Sequence, residues 1–325
     1  MPRILIIKTS SLGDVIHNLP VIADIRAHLP RARIDWVVEE RIAVIPALHP
    51  GVDRIITSAT RRWRRSLLRP AAWRELGVFR RELRRELYDA IVDAQGLLKS
   101  ALMGALARGP VHGQDRSSAR EPLASRLYDR AYPVPRDWHA VTRNRYLTAL
   151  ACGYTPPDSP PDYGIRAPAV VPPLRGLAGD YVVCLHGTAR ASKLWPEDRW
   201  VSLVENLVRR GLTPVLSWGG AAEQRRSHFI ADKVRDAVVP PAPALGLKEL
   251  AALIAGARAV VGVDTGLVHL AVALSRPTVA IFTDTSPTLC GAFPADPSRA
   301  INLGERGVVP RPEDVLHALA RLKAF

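Results

Sequence analysis

Residues 260–274 read as a β-branched strand that stops at Asp264-Thr265-Gly266 and restarts at once as an apolar helix carrying His269. The same strand–turn–helix pattern recurs along the chain, and that alternation builds parallel, doubly wound sheets with helices on both faces. In the first half, strands are expected over 3–7, 34–38, 54–56 and 90–93, with helices over 15–28, 42–48 and 67–87 between them and a further helix after Gln95-Gly96. In the second half, strands are expected over 181–185, 213–217, 259–263 and 278–282, and helices over 197–210, 223–234, 248–255, 267–274 and 313–322. Ligands of such sheets bind beyond the carboxyl ends of the strands. Ser10, Ser11, Asp14, Asp93, Gln95 and Lys99 all fall there in the first half.

A chain of 325 residues exceeds one ordinary core, so two domains are expected, 1–165 and 166–325. The prolines at 156, 157, 160, 161, 168, 172 and 173 mark a stiff linker between them. Two α/β domains joined in this way place a cleft between two sets of strand ends, and the last helix is expected to pack back on the first domain. No apolar run approaches the ~18 residues of a membrane span. The apolar core of the first eight residues is too short for a secretory signal and reads as a first strand. Cys152, Cys184 and Cys290 show neither CxxC nor metal-ligand spacing, which fits a reducing compartment and a cytoplasmic protein.

The net charge of +14 is unevenly placed. Residues 61–86 hold ten arginines against Glu75, Glu82 and Glu86, half of the whole excess. Such density calls for an anionic partner: nucleic acid, anionic lipid or an acidic sugar. Arg61-Arg62-Trp63-Arg64-Arg65 suits a bidentate grip on carboxylates or phosphates. Trp63, Leu67, Leu68, Trp73, Leu76, Phe79 and Leu83 interleave apolar anchors with the charge, as an interfacial membrane segment does. Over 80–85, Glu82 and Glu86 are expected to neutralise part of the charge on an ordinary solvated helix.

A strand, a tight turn and a fresh helix leave backbone N–H groups aimed at a phosphate, so Thr265 and Gly266, with His269 one turn in, form one candidate anion site. A packed histidine behind a capped helix is the plainer reading. Thr188, Ser192 and Lys193, between a strand and the helix that opens at Pro196, supply two hydroxyls and an ammonium suited to a diphosphate. Glu223 follows Trp218-Gly219-Gly220 and is placed either to accept from ribose hydroxyls or simply to complement a helix start. Asp14, after Gly13 at a helix start, is either another such first-turn acid or a carboxylate base for an acceptor hydroxyl. Neither GxGxxG after the first strand nor GxxxxGK[ST] occurs, which argues against dehydrogenases and P-loop NTPases, and no carboxylate pair is spaced to hold a metal against a diphosphate.

Taken in order, Lys8-Thr9-Ser10-Ser11-Leu12-Gly13-Asp14, residues 35–40, Arg61-Arg62-Trp63-Arg64, residues 93–97 with Lys99 and Ser100, residues 119–125, and 263–267 with His269 closely resemble the lipopolysaccharide heptosyltransferase I family. The resemblance runs over nearly the whole chain. It implies a GT-B fold, two Rossmann-like domains facing a cleft, and an inverting transfer that needs neither metal nor cofactor. Heptose would pass from ADP-L-glycero-D-manno-heptose to the Kdo of Kdo2-lipid A, by an enzyme peripheral on the cytoplasmic face of the inner membrane. By position, Asp14 would be the base; Thr188, Ser192, Lys193, Glu223, Asp264, Thr265, Gly266 and His269 would hold the donor. Ser10, Arg61, Arg62, Arg64, Arg65, Lys99, Arg120 and His139 would hold the acidic acceptor. Two departures stand out: the family's His-Ala-Thr-Thr segment reads His186-Gly187-Thr188 here, from which one hydroxyl contact to the donor is expected to be missing, and Leu12 stands in place of a common methionine. The rival readings are a heptosyltransferase II-like transfer onto heptosyl-Kdo2-lipid A and a nucleic-acid-binding module built on the arginine patch. The latter leaves the Asp-Thr-Gly turn idle.

Overall fold

The structure, a computed structural model, describes residues 1–66, 68–168, 174–177 and 179–325; Leu67, Pro172 and Pro173 fall outside these. The chain divides into two compact units, Met1–Ile165 and Arg166–Phe325.

The first unit is built on strands β1 (Arg3–Ile7), β2 (Arg33–Glu39), β3 (Arg54–Ser58), β4 (Ala90–Asp93), β5 (Val111–Gln114) and β6 (Arg130–Tyr132). They form one all-parallel sheet in the order β3-β2-β1-β4-β5-β6. Ile4 to Ile7 are at most 1% exposed, because helices cover both faces of the sheet. Those helices are α1 (Leu12–Ile16), α2 (Pro20–His28), α3 (Val44–Ala47), α4 (Thr60–Arg65), α5 (Pro70–Arg84), α6 (Leu98–Leu106) and α7 (Ala140–Cys152). The expected helix 15–28 is thus two helices. Pro20 lacks an N–H and fits the first turn of α2, so the continuous apolar spacing hid a break. The helix expected over 67–87 likewise starts at Pro70, with α4 separate before it. β5, β6 and α7 were not legible: two four- and three-residue strands at a sheet edge, and a helix with little amphipathic contrast.

α7 is tied to α2 by a buried ion pair. Arg145 Nε and Nη2 donate to Asp24 Oδ2 and Oδ1 at 2.8 and 2.9 Å, and Arg145 Nη1 donates to the Ser159 carbonyl at 2.6 Å. The proline-rich stretch is therefore not a free tether over its first part: Pro161 and Tyr163 are buried against the first unit. Removing one partner strands a buried charge, so Arg145→Met should lower the stability of this unit by about 3–5 kcal/mol. Calorimetry would register a large fall in one unfolding transition.

The second unit carries β7 (Tyr181–Leu185), β8 (Thr213–Leu216), β9 (Ala259–Val263), β10 (Thr278–Ile281) and β11 (Ala300–Leu303), again all parallel, in the order β11-β10-β9-β7-β8. Its helices are α8 (Glu197–Val208), α9 (Ala221–Ala231), α10 (Leu247–Gly256), α11 (Gly266–Ala273), α12 (Pro287–Cys290) and α13 (Pro312–Arg321). Trp195 and Trp200 meet edge to face with ring centres 5.2 Å apart, in a core that also holds Val261, Val279 and Leu319. Val315, Ala318 and Leu322 of the last helical segment belong to that core.

Candidate functional sites at the strand ends

In each sheet the strand order reverses direction once, between β1 and β4 in the first unit and between β7 and β9 in the second. Crossovers leave a crevice at such a point, and Asp14, Asp93 and Gln95 of the first unit and Thr188, Lys193 and Asp264 of the second lie at the ends of those strands or in the connections that leave them.

In the first unit the β1–α1 turn is clamped by Gln95, whose Oε1 accepts the amides of Thr9 and Ser10 at 3.0 and 3.1 Å. Gln95 is held by Asp93 in turn. The Asp93 carboxylate accepts the amides of Gln95 and Gly96 at 2.9 and 3.2 Å and the hydroxyls of Ser100 and Tyr128 at 2.9 and 2.8 Å. Its burial pushes its pKa above the ordinary value despite those four donors. Asp93 is thus a scaffold for the turn. Gly96 is needed at its position, with φ +67 and the Arg120 amide 3.3 Å from where a Cβ would stand.

Asp14 sits in the first turn of α1, its Oδ2 accepting from the Ser11 amide and hydroxyl at 2.8 Å each. Burial works to raise its pKa, but the charge of Lys8, the two Ser11 hydrogen bonds and the charge of Arg120 outweigh it, and the net shift is downward from 3.8. Asp14 is thus both the third residue of α1, closing a capping box on the N-cap Ser11, and an ionised carboxylate. Lys8, 7% exposed, donates to the Ala94 carbonyl at 2.6 Å; burial lowers its pKa, while Asp14 and Asp93 oppose that shift. Sequence reasoning passed over Lys8, although an ammonium directly after an apolar strand was a visible signal. His139 caps α7, its Nδ1 accepting the Val141 amide, and faces His17 with ring centres 5.3 Å apart. Lys99 and Arg120 are exposed.

The arginine cluster resolves into two kinds. Arg62 donates to both oxygens of Glu75 at 2.6 and 2.8 Å and to Glu40, and these bonds raise its pKa further. That makes it a strut. Arg61, Arg64 and Arg65 form no ion pair among the described residues. A cavity of about 570 Å³ is lined by Arg41, Arg61, Arg62, Arg65 and Arg69 together with Glu39, Glu40 and Glu75. Glu39 is committed to starting α4, accepting the Thr60 hydroxyl at 2.6 Å and the Arg61 amide at 3.3 Å.

Several expected anchors are internal. Trp63 is 6% exposed, its indole N–H donating to Glu75 at 2.7 Å and its ring against Phe79, and Leu83 is fully buried. Leu76 packs partly buried against the same core, and Leu67 lies outside the described residues. Leu68 and Trp73 stay exposed. Nor do Glu82 and Glu86 neutralise their neighbours. They pair with Arg54 and Arg3, which leaves the charge of α5 on its outer face.

In the second unit three loops are laced together. Lys193 Nζ donates to Asp264 Oδ2 at 2.5 Å, the Thr285 hydroxyl donates to the same oxygen at 2.6 Å, and the Thr188 hydroxyl donates to the Asp264 carbonyl at 2.9 Å. The Thr283 hydroxyl donates to the Ser192 carbonyl at 2.8 Å. Thr265 is the N-cap of α11 with extended backbone, so the first amides of that helix, from Gly266 onward, open at this place. His269, on the first turns of α11, is 6% exposed. Glu223 accepts the Gly219 amide at 2.7 Å and lies over Gly187, where a Cβ would meet its carboxylate at 2.3 Å. Gly187 therefore gives Glu223 its room. The β10 loop, with Thr283 and Thr285, was missed by sequence reasoning because a Thr-Asp-Thr run after a strand carries no distinctive spacing.

Gly262 sets the height of α11 on β9. A Cβ there would stand 2.5 Å from Val268 Cγ2 and 2.8 Å from Leu185 Cβ. Gly262→Val should destabilise the second unit by about 1–3 kcal/mol through overpacking and, by lifting the 264–266 turn, weaken nucleotide binding. Titration calorimetry of the variant beside wild type checks both.

Comparison with known proteins agrees with this geometry. The chain is 48% identical over 295 residues to lipopolysaccharide heptosyltransferase 1 of Pseudomonas aeruginosa, covering 90% of this chain and 81% of the relative. It is 44% identical over 292 residues to the protein of that name from Escherichia coli K12, covering 90% and 91%. The solved structure of the E. coli heptosyltransferase WaaC with ADP superposes with a TM-score of 0.90 at 38% identity, covering 98% of this chain and 99% of that one, which makes the two doubly wound units a GT-B fold. The model of glycosyltransferase family 9 (heptosyltransferase) matches residues 76–313. With that match and relatives so similar over most of its length, the chain belongs to glycosyltransferase family 9, the heptosyltransferases.

Proposed function

We propose that this heptosyltransferase moves L-glycero-D-manno-heptose from ADP-heptose to the Kdo of Kdo2-lipid A in building the lipopolysaccharide inner core. The observation that carries the reading is Asp14, a carboxylate kept ionised by Lys8, Ser11 and Arg120 at the switch point of the first sheet. As base it takes the proton of the acceptor hydroxyl, whose oxygen then bonds to the anomeric carbon of the heptose while the bond to ADP breaks on the opposite side. That displacement inverts the anomeric centre. Lys193 and the opening amides of α11, with Thr188 beside them, receive the charge that develops on the departing diphosphate. Glu223 turns from the Gly219 amide to the ribose hydroxyls. Fixed donors of this kind serve in place of a metal, and transfer is expected to survive chelation.

On the acceptor side, Arg61, Arg64, Arg65, Lys99 and Arg120 match the carboxylates and phosphates of Kdo2-lipid A, with Ser10 and His139 at the edge of the Asp14 turn. The acceptor is a membrane lipid, so the enzyme works at the cytoplasmic face of the inner membrane. Among the described residues no helix is long and apolar enough to cross a membrane. Relatives 44–48% identical carry the name heptosyltransferase 1, which supports a type 1 transfer over the heptosyltransferase II-like one. Two readouts test the proposal. ADP should raise the melting temperature where UDP and GDP do not, and radiolabelled heptose should pass to Kdo2-lipid A. Stabilisation by UDP or GDP in place of ADP, or transfer only onto heptosyl-Kdo2-lipid A, would overturn it.

A further inference from the structure

The face expected to meet lipid has moved. With Trp63, Phe79 and Leu83 inside, a regular row of exposed apolar side chains in the first unit lies on α6. Leu98, Leu102 and Leu106 are 39, 50 and 40% exposed, four residues apart, and form one stripe about 12 Å long along the helix. Leu123, 58% exposed, extends it from the turn at Pro122–Leu127, whose Glu121 carboxylate caps α6 by accepting the Leu98 amide at 2.7 Å. The opposite side of α6, with Ala101, Met103 and Gly104, is buried, so the leucines are not needed to hold the helix down.

Around the stripe the charge is positive. Lys99 and Arg126 are exposed on the same elements, Arg108 is exposed two residues past α6, and Arg84 of α5 reaches across to donate to the Leu106 carbonyl at 3.4 Å. Beyond Arg84, α5 adds Arg80, Arg81 and Arg85 with exposed Trp73 and Val78. Of the acids close in sequence, Glu121 has its carboxylate on the α6 cap and Asp129 accepts the Val111 amide. An apolar ridge rimmed by cations matches an anionic bilayer surface, with leucines among the acyl chains and ammonium or guanidinium groups at the phosphates. A second copy of the chain would bring the same positive rim against itself.

We infer that the α6 leucine ridge, with Leu123 and its rim of Lys99, Arg84, Arg108 and Arg126, is the surface by which this enzyme docks on an anionic membrane. This rests on reading the acceptor as a membrane lipid. The ridge begins one residue from Lys99, assigned above to the acceptor, so docking brings the lipid's sugar head to the Asp14 end of the sheet.

The test is co-sedimentation of the full chain with vesicles of phosphatidylethanolamine and phosphatidylglycerol, alongside vesicles of phosphatidylcholine. The variant is Leu102→Gln with Leu106→Gln, both exposed and peripheral to the core. Wild type should bind the anionic vesicles and bind phosphatidylcholine weakly. The double variant should lose anionic-vesicle binding by about tenfold or more, as expected when buried leucines are forfeited. Arg108→Gln with Arg126→Gln should erase the preference for anionic lipid. Transfer to a soluble, acyl-free Kdo acceptor should be unchanged in all of them. Unaltered vesicle binding of the leucine variant would overturn the inference, as would a wild-type dimer in solution that the variant dissolves. Failure of the functional reading is distinct: wild type would then transfer heptose to neither soluble nor lipid acceptor, whatever its vesicle binding.

Discussion

Asp14→Ala should reduce kcat by about a thousandfold, within the range a positioned general base contributes, and leave ADP-heptose affinity within about twofold of wild type. The asymmetry follows from where the groups sit. Asp14 belongs to the first unit, and Thr188, Lys193, Asp264 and Thr265 belong to the second. Asp14→Asn separates the chemical role from the capping role, since an amide oxygen can still accept from Ser11 and keep α1 started. It should be as inactive as the alanine variant with a melting temperature nearer wild type. The pH profile carries a second signature. Because the carboxyl is held below its ordinary value, the base is present at every pH above that depressed pKa, and the acid limb of kcat/KM should lie below pH 3.8. Lys8→Met removes the largest influence favouring the ionised form and leaves burial opposing it, so the limb should move up in pH. A fixed limb would mean that another group sets it.

Lys193→Met should lower kcat by about 10²–10³-fold, the loss typical of one preorganised donor to a developing anion, and should weaken ADP-heptose binding as well. It should also destabilise the second unit. Asp264 is 8% exposed, and among the described residues its carboxylate without the ammonium keeps only the Thr285 hydroxyl. Adding Asp264→Asn removes the stranded charge. The double variant should therefore recover much of the melting temperature while remaining inactive. Recovery of turnover along with stability would show that Lys193 serves only to neutralise Asp264. Arginine is a poor replacement, since its planar fork does not fit a site shaped around one ammonium bonded to one carboxylate oxygen.

How far the sequence led depends on the kind of signal. β1, β4, β7 and β9 were legible to within a residue, because strands buried on both faces read as unbroken apolar runs. β5, β6 and β11 were not, being short and less uniformly apolar, with pairing on long-range partners. The 264–266 turn was legible because it follows β9 directly, while Asp14 and Lys193 lie in the connections after β1 and β7, where polar residues past an apolar run stand out. What could not be read was the use of charge. The three glutamates among the arginines looked interchangeable, yet Glu75 fixes Arg62 and Trp63, while Glu82 and Glu86 serve Arg54 and Arg3 on distant strands. The same holds for Trp63, whose flanking arginines suggested a surface and whose Phe79 partner, sixteen positions on, places it in the core. Such pairings are set by tertiary contact and leave no periodicity behind.

The stereochemistry of one turnover tests the role of Asp14 most directly. ADP-heptose of known anomeric configuration is mixed with enzyme and a soluble Kdo acceptor, and the new glycosidic linkage is read by NMR from the coupling at its anomeric carbon. Displacement of ADP by a hydroxyl that Asp14 has deprotonated gives the opposite configuration to the donor's. A product that keeps the donor's configuration would require a covalent or front-face route and would contradict Asp14 as the base.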